Sequence, residues 1–379
     1  MAHGFSFKEG AYIMKDARYA KLAEILIGYS LHVQTDECVL LDATDINSEI
    51  MSALVQAIST RGGHAFVKTT HSKVMRSLYI NGSLKSFEVM AESDLEFMKK
   101  MQGYVAIRNY ENSFEYSDVS AEKMTAIRKI MRPVLDWRVK KTKWCVIRWP
   151  SPSMAQAASM STEAFEDFYF RVCTMDYSRL HTAAQALVAL MKKTDNVRIE
   201  GPNGTDITFS IKGIPVIPCT GANNIPDGEV FTAPVKESVN GVICYNTPTI
   251  YEGKKYENIM LRFEHGKIVE ASSSDTPGMN ALLNTDDGAR YTGEFAIGIN
   301  PHIIDGMCDI LFDEKISGSI HLTPGASYDD ASNGNISSIH WDLVLIQTPK
   351  YGGGKIYFDD VLIRENGLFV IDALKALNP

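Results

Sequence analysis

Five side chains with metal-binding donor atoms lie in the last two-fifths of this 379-residue sequence. They occupy four short segments and comprise two glutamates, two histidines and one aspartate: Glu229, Glu294, His321, His340 and Asp342. Nitrogen and carboxylate donors together suit Zn²⁺, Co²⁺ or Mn²⁺ and argue against an all-oxygen Ca²⁺ site. Because a pair of such ions activates water at neutral pH, this donor set predicts metal-assisted hydrolysis.

The His340-Trp341-Asp342 triplet carries two of these donors at a spacing that can aim them together. On a β-strand, residues two apart point to the same face, so we expect His340 and Asp342 to face one ion. Trp341 would then pack on the opposite side of the strand. A triplet of this kind is by itself more often a hydrogen-bonded pair than a metal site.

The two glutamates each follow a glycine and precede an apolar run, where an unpaired carboxylate is costly to bury. Taken singly, Glu229 or Glu294 could be a rim charge or the partner of an arginine such as Arg262 or Arg290. Taken singly, His321 could be structural. The occurrence of all five donors in one part of the chain is what favours a metal centre.

Four ordered motifs carry these donors, and together they resemble a known family. The motifs are GEVFTAP from residue 228, GEFAIGIN from 293, LFDEKISGSIHLTPGASY from 311 and SIHWD from 338. This set resembles the aminopeptidase T family, the thermophilic-type metalloaminopeptidases of the leucyl aminopeptidase/PepS group. The resemblance is strong over about residues 195–379 and looser over the N-terminal half.

The resemblance implies a site and an activity. Its metal ligands would be Glu229, Glu294, His321, His340 and Asp342, and its catalytic-site tyrosine would be Tyr328. Two divalent ions (Zn, Co, Mn or Mg) would share a water that attacks the N-terminal peptide bond of short peptides. A carboxylate must move the proton, and Glu229 and Glu294 remain alternatives for that role. The resemblance also implies a homodimer.

Two other functions remain open from the sequence. His321, His340 and Asp342 could form the two-histidine, one-carboxylate triad of a mononuclear iron ring-cleaving dioxygenase of the dihydroxypyridine type. Retention of Glu229 and Glu294 argues against it, since one iron has no use for five ligands. The third alternative is a non-catalytic protein that keeps the fold and binds no metal.

An aminopeptidase must also recognise the free α-ammonium of its substrate. An acidic group or a metal could bind it, and Asp313, Asp329 and Asp330 are candidates. Each is more simply explained as a solvated loop charge.

The elements that must position these residues are predicted to form two domains. An α/β domain over residues 1–194 would hold a parallel sheet covered by helices and end in a helical connector over 153–193. A strand-rich α+β catalytic domain would follow over 195–379, with a hairpin over 198–211 and a short helix near 279–283. The predicted strands of the first domain are 38–42, 64–70, 104–108 and 143–149. Its predicted helices are 48–60 after Asn47, one beginning at Ser93 or Asp94, and one opened by Ser120.

Composition limits the remaining possibilities. A net charge of -8 without a long basic run argues against nucleic-acid binding. No stretch reaches the roughly 18–20 apolar residues of a membrane helix. The six cysteines lack metal-site or disulfide spacing, and the N-terminus lacks a signal pattern, so we expect a cytoplasmic protein with free thiols.

Overall fold

The computed structural model describes residues 16–251 and 253–379 and confirms the predicted α/β architecture. The helices are α1 (Ala17–Glu24), α2 (Ser48–Thr60), α3 (Ser72–Asn81), α4 (Leu84–Met98), α5 (Ala121–Lys141), α6 (Pro152–Ala157), α7 (Thr162–Cys173), α8 (Tyr177–Met191), α9 (Thr276–Leu283) and α10 (Ile310–Asp313). The strands are β1 (Cys38–Thr44), β2 (His64–Thr70), β3 (Gly103–Arg108), β4 (Lys143–Arg148), β5 (Asn196–Glu200), β6 (Asp206–Ser210), β7 (Ile217–Cys219), β8 (Asn224–Ile225), β9 (Glu229–Thr232), β10 (Asn240–Cys244), β11 (Thr249–Tyr251), β12 (Lys254–Tyr256), β13 (Met260–Glu264), β14 (Lys267–Ser272), β15 (Thr292–Gly298), β16 (Ser319–Pro324), β17 (Val344–Ile346), β18 (Lys355–Phe358), β19 (Val361–Glu365) and β20 (Leu368–Phe369).

The N-terminal half is built on a parallel sheet with strand order β2-β1-β3-β4-β8. Successive residues of β1 face opposite sides of this sheet. Val39 and Leu41 pack into the large core that includes α1 and α2, whereas Leu40 packs with Tyr104 and Met98 on the side of α4 and α5. Cover on both faces is why β1 reads as a short apolar run.

Capping residues explain where two of the helices begin. Asn47 accepts hydrogen bonds from the backbone N–H groups of Glu49 and Ile50, which confirms the predicted start of α2. The predicted start of the next helix, at Ser93 or Asp94, is wrong by about three turns. Helix α4 begins after Ser83, whose hydroxyl accepts the backbone N–H of Ser86.

The segment predicted as a helical connector contains α6, α7 and α8. A short break separates α7 from α8, since α7 ends at Cys173 and Asp176 begins α8 by accepting the backbone N–H of Arg179. This segment packs its apolar face into the same core as the parallel sheet.

The C-terminal half contains two large antiparallel sheets and a separate two-stranded one, β11–β12. The first has eight strands in the order β14-β13-β10-β6-β5-β18-β19-β20, and it contains the hairpin predicted over 198–211 as the pair β5–β6. The second has five strands in the order β17-β16-β15-β9-β7. The predicted short helix is α9. The second sheet carries three of the five predicted metal ligands.

The two halves share one hydrophobic core. A single cluster of buried side chains extends from Leu22 of α1 to Leu377 near the C-terminus. Residues 224–225 form β8, which pairs with β4 and so completes the N-terminal sheet from the C-terminal half. The division of the chain at 194/195 stays a prediction.

No helix in the described part of the chain is long and apolar enough to cross a lipid bilayer. All six cysteines are free thiols in the structure. Cys145 and Cys173 are fully buried, and burial raises the pKa of both thiols.

Replacing Asn47 by Ala should weaken α2 without changing its packed face. Two backbone N–H groups would lose their acceptor, which costs about 1 kcal/mol and raises local opening about fivefold. Hydrogen–deuterium exchange over residues 48–60 measures this opening. Asn47→Asp keeps a capping oxygen and is the control. Unchanged exchange in Asn47→Ala would show that the cap does not limit opening of α2.

Candidate metal centre

The register of the second antiparallel sheet brings three of the predicted ligands to one face. Ala296 of β15 lies opposite Phe231 of β9 on one side and opposite His321 of β16 on the other. Directly paired residues share a face, and so do residues two apart on a strand. Glu229 precedes Phe231 by two and Glu294 precedes Ala296 by two. The two glutamates and His321 therefore point to the same side.

The opposite face of the same strands is apolar and packs into the core. Val230, Phe295, Ile320 and Leu322 all belong to the main hydrophobic cluster. All residues of β9, β15 and β16 are buried, including the carboxylates. The sheet thus fixes a row of charged groups in a place where water cannot solvate them.

A β-bulge adjusts the position of Glu294. The pairing of β15 with β16 shifts register between Thr292 and Glu294. Gly293 lies at this shift, and a Cβ atom there would stand 2.1 Å from the backbone oxygen of Ala326. Only glycine lets the chain from β16 approach so closely beside the carboxylate.

The remaining two ligands reach the site from a non-strand segment. The expectation that 340–342 forms a strand is wrong: His340 makes only an isolated bridge with Gly325, and β17 begins at Val344. The two donors nevertheless converge, with His340 Nε2 3.2 Å from Asp342 Oδ1. An extended segment held beside β16 keeps the two-residue alternation without continuous pairing.

Trp341 anchors this segment from the other side, as expected. Its indole ring is 1% exposed and lies 4.9 Å, centroid to centroid, from both Tyr251 and Tyr256. These contacts hold the flanking histidine and aspartate in place.

The structure brings all five predicted donors together around Glu294. His321 Nε2 lies 3.1 Å from Glu294 Oε1 and 3.5 Å from Glu229 Oε2. His340 Nε2 lies 3.4 Å from Glu294 Oε2 and 3.2 Å from Asp342 Oδ1. Two groups of three donors result, each with its ligand atoms within 4.8 Å of one another. Glu294 belongs to both.

Neighbouring groups orient two of the donors. His340 Nδ1 lies 2.8 Å from the carbonyl oxygen of Ala326, so Nδ1 carries a proton and Nε2 is the ring nitrogen that faces the carboxylates. Thr323 donates its hydroxyl proton to Asp342 Oδ1 at 2.7 Å. Such outer contacts orient histidine and carboxylate ligands in metal sites.

Several donor atoms in the cluster are buried without a hydrogen-bond partner, as expected for a site that binds a cation. In the described structure, Glu229 Oε2, Glu294 Oε2, His321 Nδ1 and His340 Nε2 have no hydrogen-bond partner. Three of these four atoms face the shared space between the donors. Buried polar atoms are normally paired, so this donor set suits a bound cation.

The electrostatics of the cluster favour positive charge within it. Burial opposes the charged form of His321, but Glu229 and Glu294 outweigh burial and raise its pKa to about 9. Burial likewise opposes charge on His340, yet Asp342 and Glu294 raise its pKa well above the usual range. Burial also opposes ionisation of Glu294, but the hydrogen bond with His321 and the nearby His340 lower its pKa all the same.

Three charged residues beside the cluster were not found from the sequence. Lys315 Nζ lies 2.5 Å from Glu229 Oε1 and 2.6 Å from Glu314 Oε1, and 3.6 Å from Asp227 Oδ1. Burial opposes the charge on Lys315, but these carboxylates raise its pKa well above the usual value. The available signal was the charged Asp313-Glu314-Lys315 run between the apolar residues Phe312 and Ile316.

The other predicted residues divide into near and remote ones. The ring of Tyr328 lies 4.6 Å from that of His340 and 5.9 Å from that of Phe231, and 52% of the residue is exposed. Asp329 and Asp330 are exposed, as expected for loop charges.

Asp313 is not the solvated charge that was expected. It is buried and accepts the backbone N–H of Met307 at 2.7 Å. Burial raises its pKa well above the usual range. This carboxyl group stabilises the turn before β16 and faces away from solvent.

Comparison with known proteins agrees with this geometry. The family model described as thermophilic metalloprotease (M29) matches residues 15–368, which confirms the resemblance inferred from the four motifs. Aminopeptidase T from Thermus thermophilus is 38% identical over 119 residues. That alignment spans 30% of this chain and 29% of the length of the Thermus protein.

Two solved structures share the fold over nearly their whole lengths. Wild-type AmpT from Thermus thermophilus superposes with a TM-score of 0.78 at 21% identity, covering 93% of this chain and 99% of that one. A 2,5-dihydroxypyridine dioxygenase from Pseudomonas putida KT2440 superposes with a TM-score of 0.59 at 12% identity, covering 94% and 98%. The fold therefore occurs with different chemistries, and the side chains must distinguish them.

Replacing Gly293 by Ala should displace Glu294. The new Cβ would meet backbone atoms of the chain after β16, which cannot rotate away, and overpacking of this kind costs about 1–3 kcal/mol. We expect a lower melting temperature and at least about tenfold weaker Co²⁺ binding, measured by calorimetry. Gly201→Ala is the control, because its Cβ would meet only atoms at 3.3 Å or more. Wild-type Co²⁺ affinity in Gly293→Ala would contradict this role.

Proposed function

Because this chain belongs to the thermophilic metalloprotease (M29) family, we propose that it is a metal-dependent aminopeptidase. In this proposal it removes N-terminal residues from short peptides through a water shared by two divalent cations. The observation that carries the proposal is the pair of three-donor groups that have Glu294 in common. A carboxylate shared between two donor groups is the arrangement expected of a two-metal hydrolase.

The two cations would be held by different members of the cluster. Glu229, Glu294 and His321 would bind one ion, and Glu294, His340 and Asp342 would bind the other. When bound, the pair supplies polarisation of the scissile carbonyl and activation of the attacking water. The identity of the ions, among Zn, Co, Mn and Mg, is left to metal analysis.

The charge of the site supports bound cations. Five carboxyl groups lie around the centre: Asp227, Glu229, Glu294, Glu314 and Asp342. Lys315 supplies one positive charge beside three of them. Burial raises the pKa of Asp227, Glu229 and Glu314, and divalent cations bound among these groups would favour their ionised forms.

The chain's own residues would bind the substrate and move the proton. A carboxylate must accept the proton of the attacking water and deliver it to the leaving amine, and Glu229 and Glu294 are both positioned for this. Tyr328 lies beside His340 with its open side towards solvent, where a peptide can approach. We assign it as the hydrogen-bond donor to the oxyanion that forms at the attacked carbonyl.

The iron dioxygenase is the competing proposal, and the likeness in fold to the Pseudomonas enzyme is what keeps it under test. A single iron would need His321, His340 and one carboxylate. Glu229 would then lie buried beside Glu294 without binding a metal.

The aminopeptidase proposal also includes the cytoplasmic location expected from the sequence and the homodimer implied by the family resemblance.

Glu294→Gln should abolish aminopeptidase activity without unfolding the chain. The amide keeps the size of the side chain but removes the shared negative charge, so we expect kcat/KM on aminoacyl-nitroanilides to fall about 10²–10⁴-fold. Elemental analysis should find two divalent ions per wild-type chain and fewer in the variant. Glu237→Gln, on the exposed surface, is the control.

Three results would contradict the aminopeptidase proposal. A wild-type chain that binds no metal would favour a non-catalytic protein. Full activity in Glu294→Gln would place the chemistry elsewhere. Oxygen uptake by an iron-loaded sample that lacks peptidase activity would favour the dioxygenase.

Tyr328→Phe should lower kcat while leaving metal binding unchanged. Phenylalanine keeps the ring contacts with His340 and Phe231 but cannot donate a hydrogen bond to an oxyanion. Loss of one such donor reduces kcat by about 10²–10³-fold. Steady-state kinetics should show this fall with little change in KM, and elemental analysis should show the wild-type metal content. An unchanged kcat would exclude the assigned role.

A further inference from the structure

Lys315 is a buried lysine whose ammonium group contacts three carboxylates. Its side chain is 1% exposed, and its ammonium group lies 2.5 Å from Glu229, 2.6 Å from Glu314 and 3.6 Å from Asp227. An ammonium has three protons and no acceptor, so three carboxylate neighbours match its capacity. A lysine buried in this way is held as a cation in a fixed place.

The position of this ammonium coincides with a third group of possible metal ligands. Cys219 Sγ and carboxylate oxygens of Asp227 and Glu229 lie within 4.8 Å of one another. The three groups are connected in a row. Glu229 belongs to both this group and the group with His321, and Glu294 belongs to both the group with His321 and the group with His340. Lys315 contacts both carboxylates of the third group and already supplies a positive charge there.

The backbone around Lys315 keeps it in this place. Asn300 donates its backbone N–H to the carbonyl of Lys315 at 3.0 Å, and its side-chain amide donates to the carbonyl of Asp227 at 2.7 Å. The Asp227 carboxylate accepts the backbone N–H groups of Gly221 at 2.6 Å and Gly228 at 3.0 Å. One asparagine thus ties the lysine segment to the segment that carries Glu229.

We propose that Lys315 is a positioning residue whose ammonium serves as the resident cation of the Cys219–Asp227–Glu229 group. It holds Glu229 through Oε1 and leaves Oε2, which faces His321 at 3.5 Å, for the neighbouring metal. It also limits the centre to two metal ions by filling the third group itself. The inference rests on the proposed function, since it takes the other two groups to be metal sites.

Titration with Co²⁺ tests this inference, because thiolate coordination to Co²⁺ gives a near-ultraviolet charge-transfer band that oxygen and nitrogen ligands do not give. Wild-type protein should bind two equivalents and show no such band at excess Co²⁺. Lys315→Met, which shortens the side chain by one atom and removes the charge, should bind a third equivalent and gain the band. Lys315→Arg should behave as wild type.

Matched variants identify the source of the band and guard against misfolding. Lys315→Met combined with Cys219→Ala should lose it, which separates Cys219 from the other free thiols. A Lys315→Met protein that folds, as judged by its melting curve, yet binds two equivalents without the band would overturn the proposal. A thiolate band in wild-type protein that disappears in Cys219→Ala would overturn it as well, and that test does not require the lysine variant to fold.

Failure of the proposed function gives a different result. Wild-type protein that binds no Co²⁺ and lacks peptidase activity would sink the two-metal aminopeptidase. The charge-transfer band of Lys315→Met reports Co²⁺ binding at the Cys219–Asp227–Glu229 group alone. Its appearance would therefore support the role of Lys315 even if the two-metal aminopeptidase proposal failed.

Discussion

The structure around the centre depends on one constraint, which is that several carboxylates are buried within contact distance of each other. Glu229 and Glu294 are buried, and the side chain of Asp342 is 14% exposed. Three carboxylates this close together and this poorly hydrated cannot all be ionised unless cations lie among them. The raised pKa values of His321 and His340 are one expression of this constraint. The fold can hold such a cluster because the cations that balance it become part of the stable structure.

The sheet turns this electrostatic requirement into geometry. Strands β9, β15 and β16 place their apolar residues in the core and their charged residues on the other face, so packing on one side fixes the donors on the other. The bulge at Gly293 and the ring contacts of Trp341 make the finer adjustments. The donors are therefore set by the most rigid part of the C-terminal half. This rigidity is what a metal site requires to discriminate between ions.

Much of this arrangement could be predicted from the sequence, and the reasons differ from residue to residue. The five donors follow from four motifs that resemble the aminopeptidase T family, and β1 and α2 follow from an apolar run and a capping asparagine. Ser93 and Asp94 misled the helix prediction because good capping residues also occur inside helices, and only packing shows that Ser83 is the true start. Lys315 was not identified from the sequence, because a lysine beside a glutamate normally indicates a solvated surface. Its burial depends on Asp227, which is 88 residues earlier in the chain, and no local pattern reports such a contact.

Strand β8 links the two halves more closely than their sequence textures suggest. Residues 224–225 complete the parallel sheet by pairing with β4, and Glu229 follows within four residues on β9. The edge of one sheet and a predicted metal ligand are thus joined by a segment of four residues, which is too short for the two to move independently. For protein engineering, this means that exchanging the N-terminal half between relatives is not a neutral graft. A chimera would need to carry the 224–229 segment with its own partner strand, or it would alter the coordination site from a distance.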